Sequence, residues 1–136
     1  MNIWAVLVAT LSTMVVGSIW YTPKVFGDRW MRLANVDPNR APSAVGPILI
    51  TLVVSFISAI VLAGAATVVH DSYGGSFLGN TLLTGVALWA GFTASRFITH
   101  DAFEGRPSAL TTLNIAHELV TVVVMALIIG AFGSPG

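Results

Sequence analysis

Residues 45–69 read VGPILITLVVSFISAIVLAGAATVV, a run without a single formal charge. A helix needs about 20 apolar residues to cross a hydrocarbon core of ~30 Å, so this stretch is long enough to span a bilayer. The composition of the whole chain agrees with it. Hydrophobic residues make up 55% of the 136 residues, and Asp, Glu, Lys and Arg together only 9%, against roughly 25% in an average soluble domain. That is too little charge to coat a water-facing surface. Disorder is excluded from the opposite side, because chains stay unfolded when they are polar and strongly charged. Here the mean hydropathy is +0.85 and the net charge is zero.

Three further runs of the same kind flank the first. No charge precedes Pro23, which places a span at about 2–21, ended by a proline that cannot donate a backbone hydrogen bond. The others are expected at about 77–98 and 109–132. With the span at 45–69, whose approach carries Pro42 and Pro47 where a helix can begin, they predict an all-α, integral membrane four-helix bundle in one transmembrane domain, residues 1–136. The first span lacks a positive leader and a small-x-small cleavage site before Trp20-Tyr21, and is expected to be a retained helix. Residues 24–40, KVFGDRWMRLANVDPNR, interleave four cations with Val25, Phe26, Trp30, Met31 and Leu33, the pattern of a short amphipathic helix at the membrane interface. The polar stretch from His70 to Gly75 is expected as a hairpin, and that from Thr99 to Pro107 as the third connection.

All six cations lie in or beside the first and third connections. Positive residues near spans are kept cytoplasmic, so both termini are expected outside the cytoplasm. Six cations without a run offer nothing to nucleic acid. No cysteine is present, which removes disulfides, thiolate metal sites and cysteine nucleophiles together. Small residues recur at every fourth position: Ala5, Ala9, Thr13 and Gly17; Ser55, Ala59, Ala63 and Thr67; Ala87, Gly91 and Ser95; Ala126 and Gly130. Such ridges let helix backbones approach closely in lipid, where the hydrophobic effect does not drive association.

The fourth span carries the chemistry. Asn114, His117, Glu118 and Thr121 follow a 0, 3, 4, 7 spacing that puts them on one helical face. At ~1.5 Å per residue, Glu118 lies about 12 Å in from Leu110, near mid-bilayer. An ionisable group there is a functional suspect by default. One reading makes Glu118 a proton or cation site adjusted by His117; the other makes it a neutral or hydrogen-bonded group that fixes bundle register. Arg96 either snorkels outward toward Asp101, Glu104 and Arg106 or leans inward toward Glu118. His70, His100 and His117 share neither a depth nor a face, so no metal, haem or other cofactor is expected. No phosphate loop, serine elbow or zinc-protease motif is present, and an enzyme is not expected. Trp4, Trp20, Tyr21 and Trp30 read as interfacial anchors. Trp89, at mid-span, reads as core packing or as a cavity wall.

The block Gly17-x-x-Trp20-Tyr21-Thr22-Pro23-x-x-Phe26-Gly27-x-x-Trp30, with Asn2, Trp89-x-Gly91-Phe92 and Phe103-Glu104-Gly105, resembles an uncharacterised family of small bacterial four-helix membrane proteins catalogued as a domain of unknown function. The likeness covers nearly the whole chain. It implies four spans and an inner-membrane location, and it assigns no activity or site residues. Two functions are therefore expected from the residues themselves. One is a proton-coupled carrier or conduit for a small solute or ion, built as a homo-oligomer, with Glu118, His117, Asn114, Thr121 and Arg96 as candidate proton or substrate site. The other is a non-catalytic accessory or assembly subunit that packs on a membrane-protein partner. In either, Gly17, Ala59, Ala63, Gly91 and Gly130 are expected at helix contacts and the lipid bilayer is the solvent.

Overall fold

The computed structural model describes residues 1–37, 39 and 43–135, and the expectations that concern Arg40 and Pro42 lie outside them. All regular elements among the described residues are helical. Helix α1 spans Ile3–Trp20, and a single π winding over Pro23–Gly27 leads into the short α2, Asp28–Ala34. Helix α3 runs Val45–Tyr73 and α4 Phe77–Leu88. A second π winding, Trp89–Ala94, joins α4 to α5, Ser95–Glu104, and α6 covers Ser108–Phe132. Four helices are long and apolar enough to cross a membrane: α1, α3, the continuous rod Phe77–Glu104, and α6.

Local chemistry explains the ends. The Asn2 side chain accepts from the backbone N–H groups of Trp4 and Ala5 at 3.0 and 3.3 Å, capping α1. Thr22 leaves the helix in an extended conformation and Pro23 occupies the first position of the π winding. Two helices outrun their expected ends. His70 to Tyr73 form the last turn of α3 instead of a hairpin, and Thr99 to Glu104 continue α5 instead of forming a connection. Polar side chains do not stop a helix; the chain turns only at Gly74, Gly75 and Gly105, whose φ values of +68°, +84° and +69° suit glycine. The hairpin after α3 is closed by Asn80, whose amide donates to the Gly74 carbonyl at 2.8 Å and lies 3.0 Å from His70 Nδ1.

The spans pack as a square: α1 and α4 each lie on both α3 and α6, while α3 and α6 barely meet across the diagonal. The main buried apolar cluster lies in one half. Ala5, Val6 and Ala9 meet Ala59, Leu62 and Ala63, with Met125, Ala126 and Ile129 of α6 closing the layer. Thr13 donates to Ser55 Oγ at 3.0 Å across α1 and α3. Gly130 gives the closest approach: a Cβ there would stand 2.6 Å from Leu78 Cδ1 and 2.9 Å from Leu78 Cα. Gly91 differs from its expected place, because it faces outward with none of the described residues within 4 Å of an added Cβ. The rod's contact glycine is Gly85, one and a half turns earlier, where a Cβ would come within 2.9 Å of Val122.

In the other half α3 separates from its neighbours, while Ala94, Leu110 and Leu113 stay buried where α5 meets α6. Residues 45–51, 53 and 54 of α3 are all exposed, so its first turns stand clear of the bundle. The described cations, Lys24, Arg29, Arg32, Arg96 and Arg106, belong to this same end, where α1 finishes, α3 begins and α5 hands over to α6.

Candidate functional site

The separation leaves a cleft of about 970 Å³ between the first half of α3 and a wall formed by α1, α6 and the π winding at Trp89–Ala94. Its floor is the start of the tight layer, Leu62, Gly85 and Met125. Most of its lining is aliphatic or aromatic, with hydroxyls from Thr13, Ser18, Thr51, Ser55, Ser58, Thr93 and Thr121. Several of those hydroxyls are already satisfied by their own helix: Ser18 donates to Met14 O, Thr51 to Pro47 O and Thr121 to His117 O, at 2.7, 2.8 and 2.9 Å.

Glu118 is the exception. Its side chain is 34% exposed, directed into the cleft, and it is the only acid among the lining residues, which include no Lys or Arg. No described residue donates a hydrogen bond to its carboxylate. The nearest group is His117 Nδ1, 3.7 Å from Oε1, close enough for an ion pair and too far for a hydrogen bond. The imidazole itself is well held. Its ring lies 4.9 Å from that of Tyr21 and 6.0 Å from that of Trp20, and Nε2 is 3.4 Å from Thr121 Oγ1. The single Thr121 hydroxyl proton is committed to the His117 carbonyl, so Nε2–H is assigned as the donor in that contact. This leaves Nδ1 as the basic nitrogen facing Glu118. The pair sets a carboxylate oxygen beside an imidazole nitrogen, two side-chain types that exchange protons, at the edge of the cleft.

The four residues of the expected face therefore divide. His117, Glu118 and Thr121 line the cleft, while Asn114 accepts from the Tyr21 phenol at 2.9 Å and ties the end of α1 to α6. Gly17 makes room behind the ring, since a Cβ there would sit 3.8 Å from His117 Nε2. Arg96 joins neither of its expected partners. It is exposed, does not line the cleft, and has no ion pair among the described residues. Arg106 pairs with Glu104 at 2.8 Å, and buried Asp101 instead accepts from Thr111 at 2.7 Å. No three His, Asp or Glu side chains among the described residues come together as metal ligands.

Three aromatic residues belong to the site: Trp20 and Tyr21 in a way that their reading as anchors did not reveal, and Trp89 as the cavity wall that was one of its two expected places. Trp20 and Tyr21 flank His117, and the Trp20 indole N–H is buried with no acceptor among the described residues. Trp89 lines the cleft and donates to the Ile115 carbonyl at 2.9 Å. Only position gave a clue: Trp20 and Tyr21 follow Gly17 by three and four residues, the spacing of one helical face.

Fold and cleft together define a small all-α protein with the build of a multi-pass membrane protein and one ionisable pair among its helices. The chain belongs to the family described as "Protein of unknown function (DUF1761)", which matches residues 4–130. Among curated proteins and among solved structures nothing matches.

Proposed function

We propose that the protein is a proton-coupled carrier for a small solute, embedded in the inner membrane as a homo-oligomer with both termini outside the cytoplasm. One observation carries this reading: Glu118, a carboxylate without a hydrogen-bond donor among the described residues, opens into a cleft beside a basic imidazole nitrogen. A carboxylate that only fixed helix register would be bonded across an interface, and those bonds are made by Tyr21 with Asn114 and by Thr13 with Ser55. A carrier needs a group that exchanges its proton when cargo arrives. Glu118 has the exposure to do so, and His117 is a local acceptor for that proton.

The test is the infrared carboxyl signal of protein in vesicles, compared between acid and alkaline pH. Wild type is expected to show one carboxyl titration that Glu118→Gln lacks; an identical spectrum in the variant overturns the proton site. An accessory subunit is the second reading, favoured by the uncovered first half of α3. Recovery from detergent only in company with a larger membrane protein supports it.

A further inference from the structure

The cleft is asymmetric in a way that specifies its cargo. Its charged chemistry is a lone carboxylate, its walls are apolar, and aromatic rings of Tyr21, Trp89 and Phe92 stand round it. Of the elements about Glu118, α6 presents His117 and the end of α1 presents Tyr21. Neither α3 nor the rod Phe77–Glu104 presents a titratable side chain to the cleft. Among the described residues no permanent cation lines the space, and none donates a hydrogen bond to the carboxylate.

A neutral apolar solute would leave that carboxylate desolvated and unpaired, and an anion would be repelled by it. A hydrophilic cation such as a metal ion would need several oxygen ligands, and among the described residues no second carboxylate lines the cleft and no three His, Asp or Glu side chains come together to supply them. A cation with a large apolar body meets every requirement. Its charge pairs with Glu118, its rings or alkyl groups fill the aliphatic walls, and the aromatic faces add cation–π attraction. Entry fits the same class, since exposed α3 residues such as Ile48, Val54 and Ile57 line the cleft and open it sideways toward the lipid.

We propose that the Glu118 cleft binds lipophilic organic cations that reach it from the bilayer, in exchange for the proton that Glu118 otherwise holds. This rests on the carrier reading above and names its substrate class. The exchange balances: the protonated carboxyl releases one H⁺ as the cation arrives, and the site carries the same charge before and after. Volume permits it, because about 970 Å³ lies at the upper end of the roughly 300–1,000 Å³ of drug-sized ligand pockets.

The experiment uses the full chain in lipid nanodiscs, with empty discs as background, and two probes of nearly equal shape, tetraphenylphosphonium and tetraphenylborate. The cation is expected to bind and the anion not. Affinity for the cation should rise up to about tenfold per pH unit while Glu118 is protonated, with one proton released per cation bound. Glu118→Gln should lose both the pH dependence and at least tenfold in affinity, and Glu118→Asp should retain both in part. Equal binding of the two probes, or cation binding without proton release, overturns the proposal on wild-type protein alone, whatever the folding of the variants. A carboxyl titration that is lost in Glu118→Gln, together with no cation binding, would sink the substrate class and leave the proton site standing. Absence of that titration removes both.

Discussion

The two halves of the bundle are built from different materials. One half is closed by alanines and glycines: Ala9, Ala59 and Ala126 are fully buried, and Gly130 rides on the backbone of Leu78. The other holds larger and more polar side chains and stays open, with α3 standing off from α6 and Glu118 aimed into the gap. The difference follows from how helices associate in lipid. Small residues allow backbones to approach until van der Waals contact is dense, whereas a rim of Tyr21, His117 and Trp89 keeps them apart. A rigid, dry clamp at one end thus holds a cleft open at the other.

The largest expected effect comes from jamming the clamp. Gly130→Leu has no room against Leu78 Cα, 2.9 Å from the new Cβ. It should destabilise the fold by about 3 kcal/mol, the upper range for overpacking a dense core. Thermal unfolding in detergent measures this, and a variant as stable as wild type would show that the tight half is not the structural anchor.

Next is a substitution in the open half with the opposite sign. Glu118→Leu should stabilise the fold by about 1 kcal/mol, since a carboxylate at mid-span costs ~3 kcal/mol on insertion scales and the open cleft relieves part of that. The gain should come with complete loss of the carboxyl titration. If Glu118 instead fixed register, the same variant would be destabilised, so the sign of the change separates the two readings.

These expectations show where the sequence was sufficient. The spans were legible because apolar runs of the right length, with at most one charge in each, have no other good solvent than lipid. The face of His117, Glu118 and Thr121 was legible because a helix turns its spacing directly into geometry. Helix ends were less so: His70 to Tyr73 and Thr99 to Glu104 look like loop by polarity, yet no glycine or proline interrupts them. The π windings and the recruitment of Trp20, Tyr21 and Trp89 depend on tertiary partners. A tryptophan at the end of a span reads as an interfacial anchor whether or not its ring also packs on a histidine of another helix, as Trp20 does on His117. Arg96 was open between an outward and an inward direction, because spacing along the chain fixes its depth alone, and the structure places it exposed and away from the cleft.

A smaller effect tests the joint between the halves. The Tyr21 phenol donates to Asn114 at 2.9 Å and its ring packs on His117. Tyr21→Phe keeps the ring and removes the hydroxyl, which should cost about 0.6 kcal/mol, the average for a polar contact between membrane helices. The imidazole should keep its place, so the carboxyl titration of Glu118 is expected to survive. Loss of that titration would show that the phenol takes part in proton exchange and not only in positioning.

The smallest change sets the outer limit of the clamp. Gly85 and Gly91 lie on one continuous rod, six residues apart, and only Gly85 is pressed against a neighbour, Val122. An added methyl at Gly91 meets open space, so Gly91→Ala should leave packing untouched. It should stabilise the fold by about 0.5 kcal/mol through the lower conformational freedom of alanine in the unfolded chain. Gly85→Ala must displace Val122 and should be destabilising. Urea or detergent unfolding of the pair would therefore give opposite signs. Destabilisation at Gly91 as well would mean that a second copy or a partner covers the outer face of the π winding, because none of the described residues stands there for the methyl to touch.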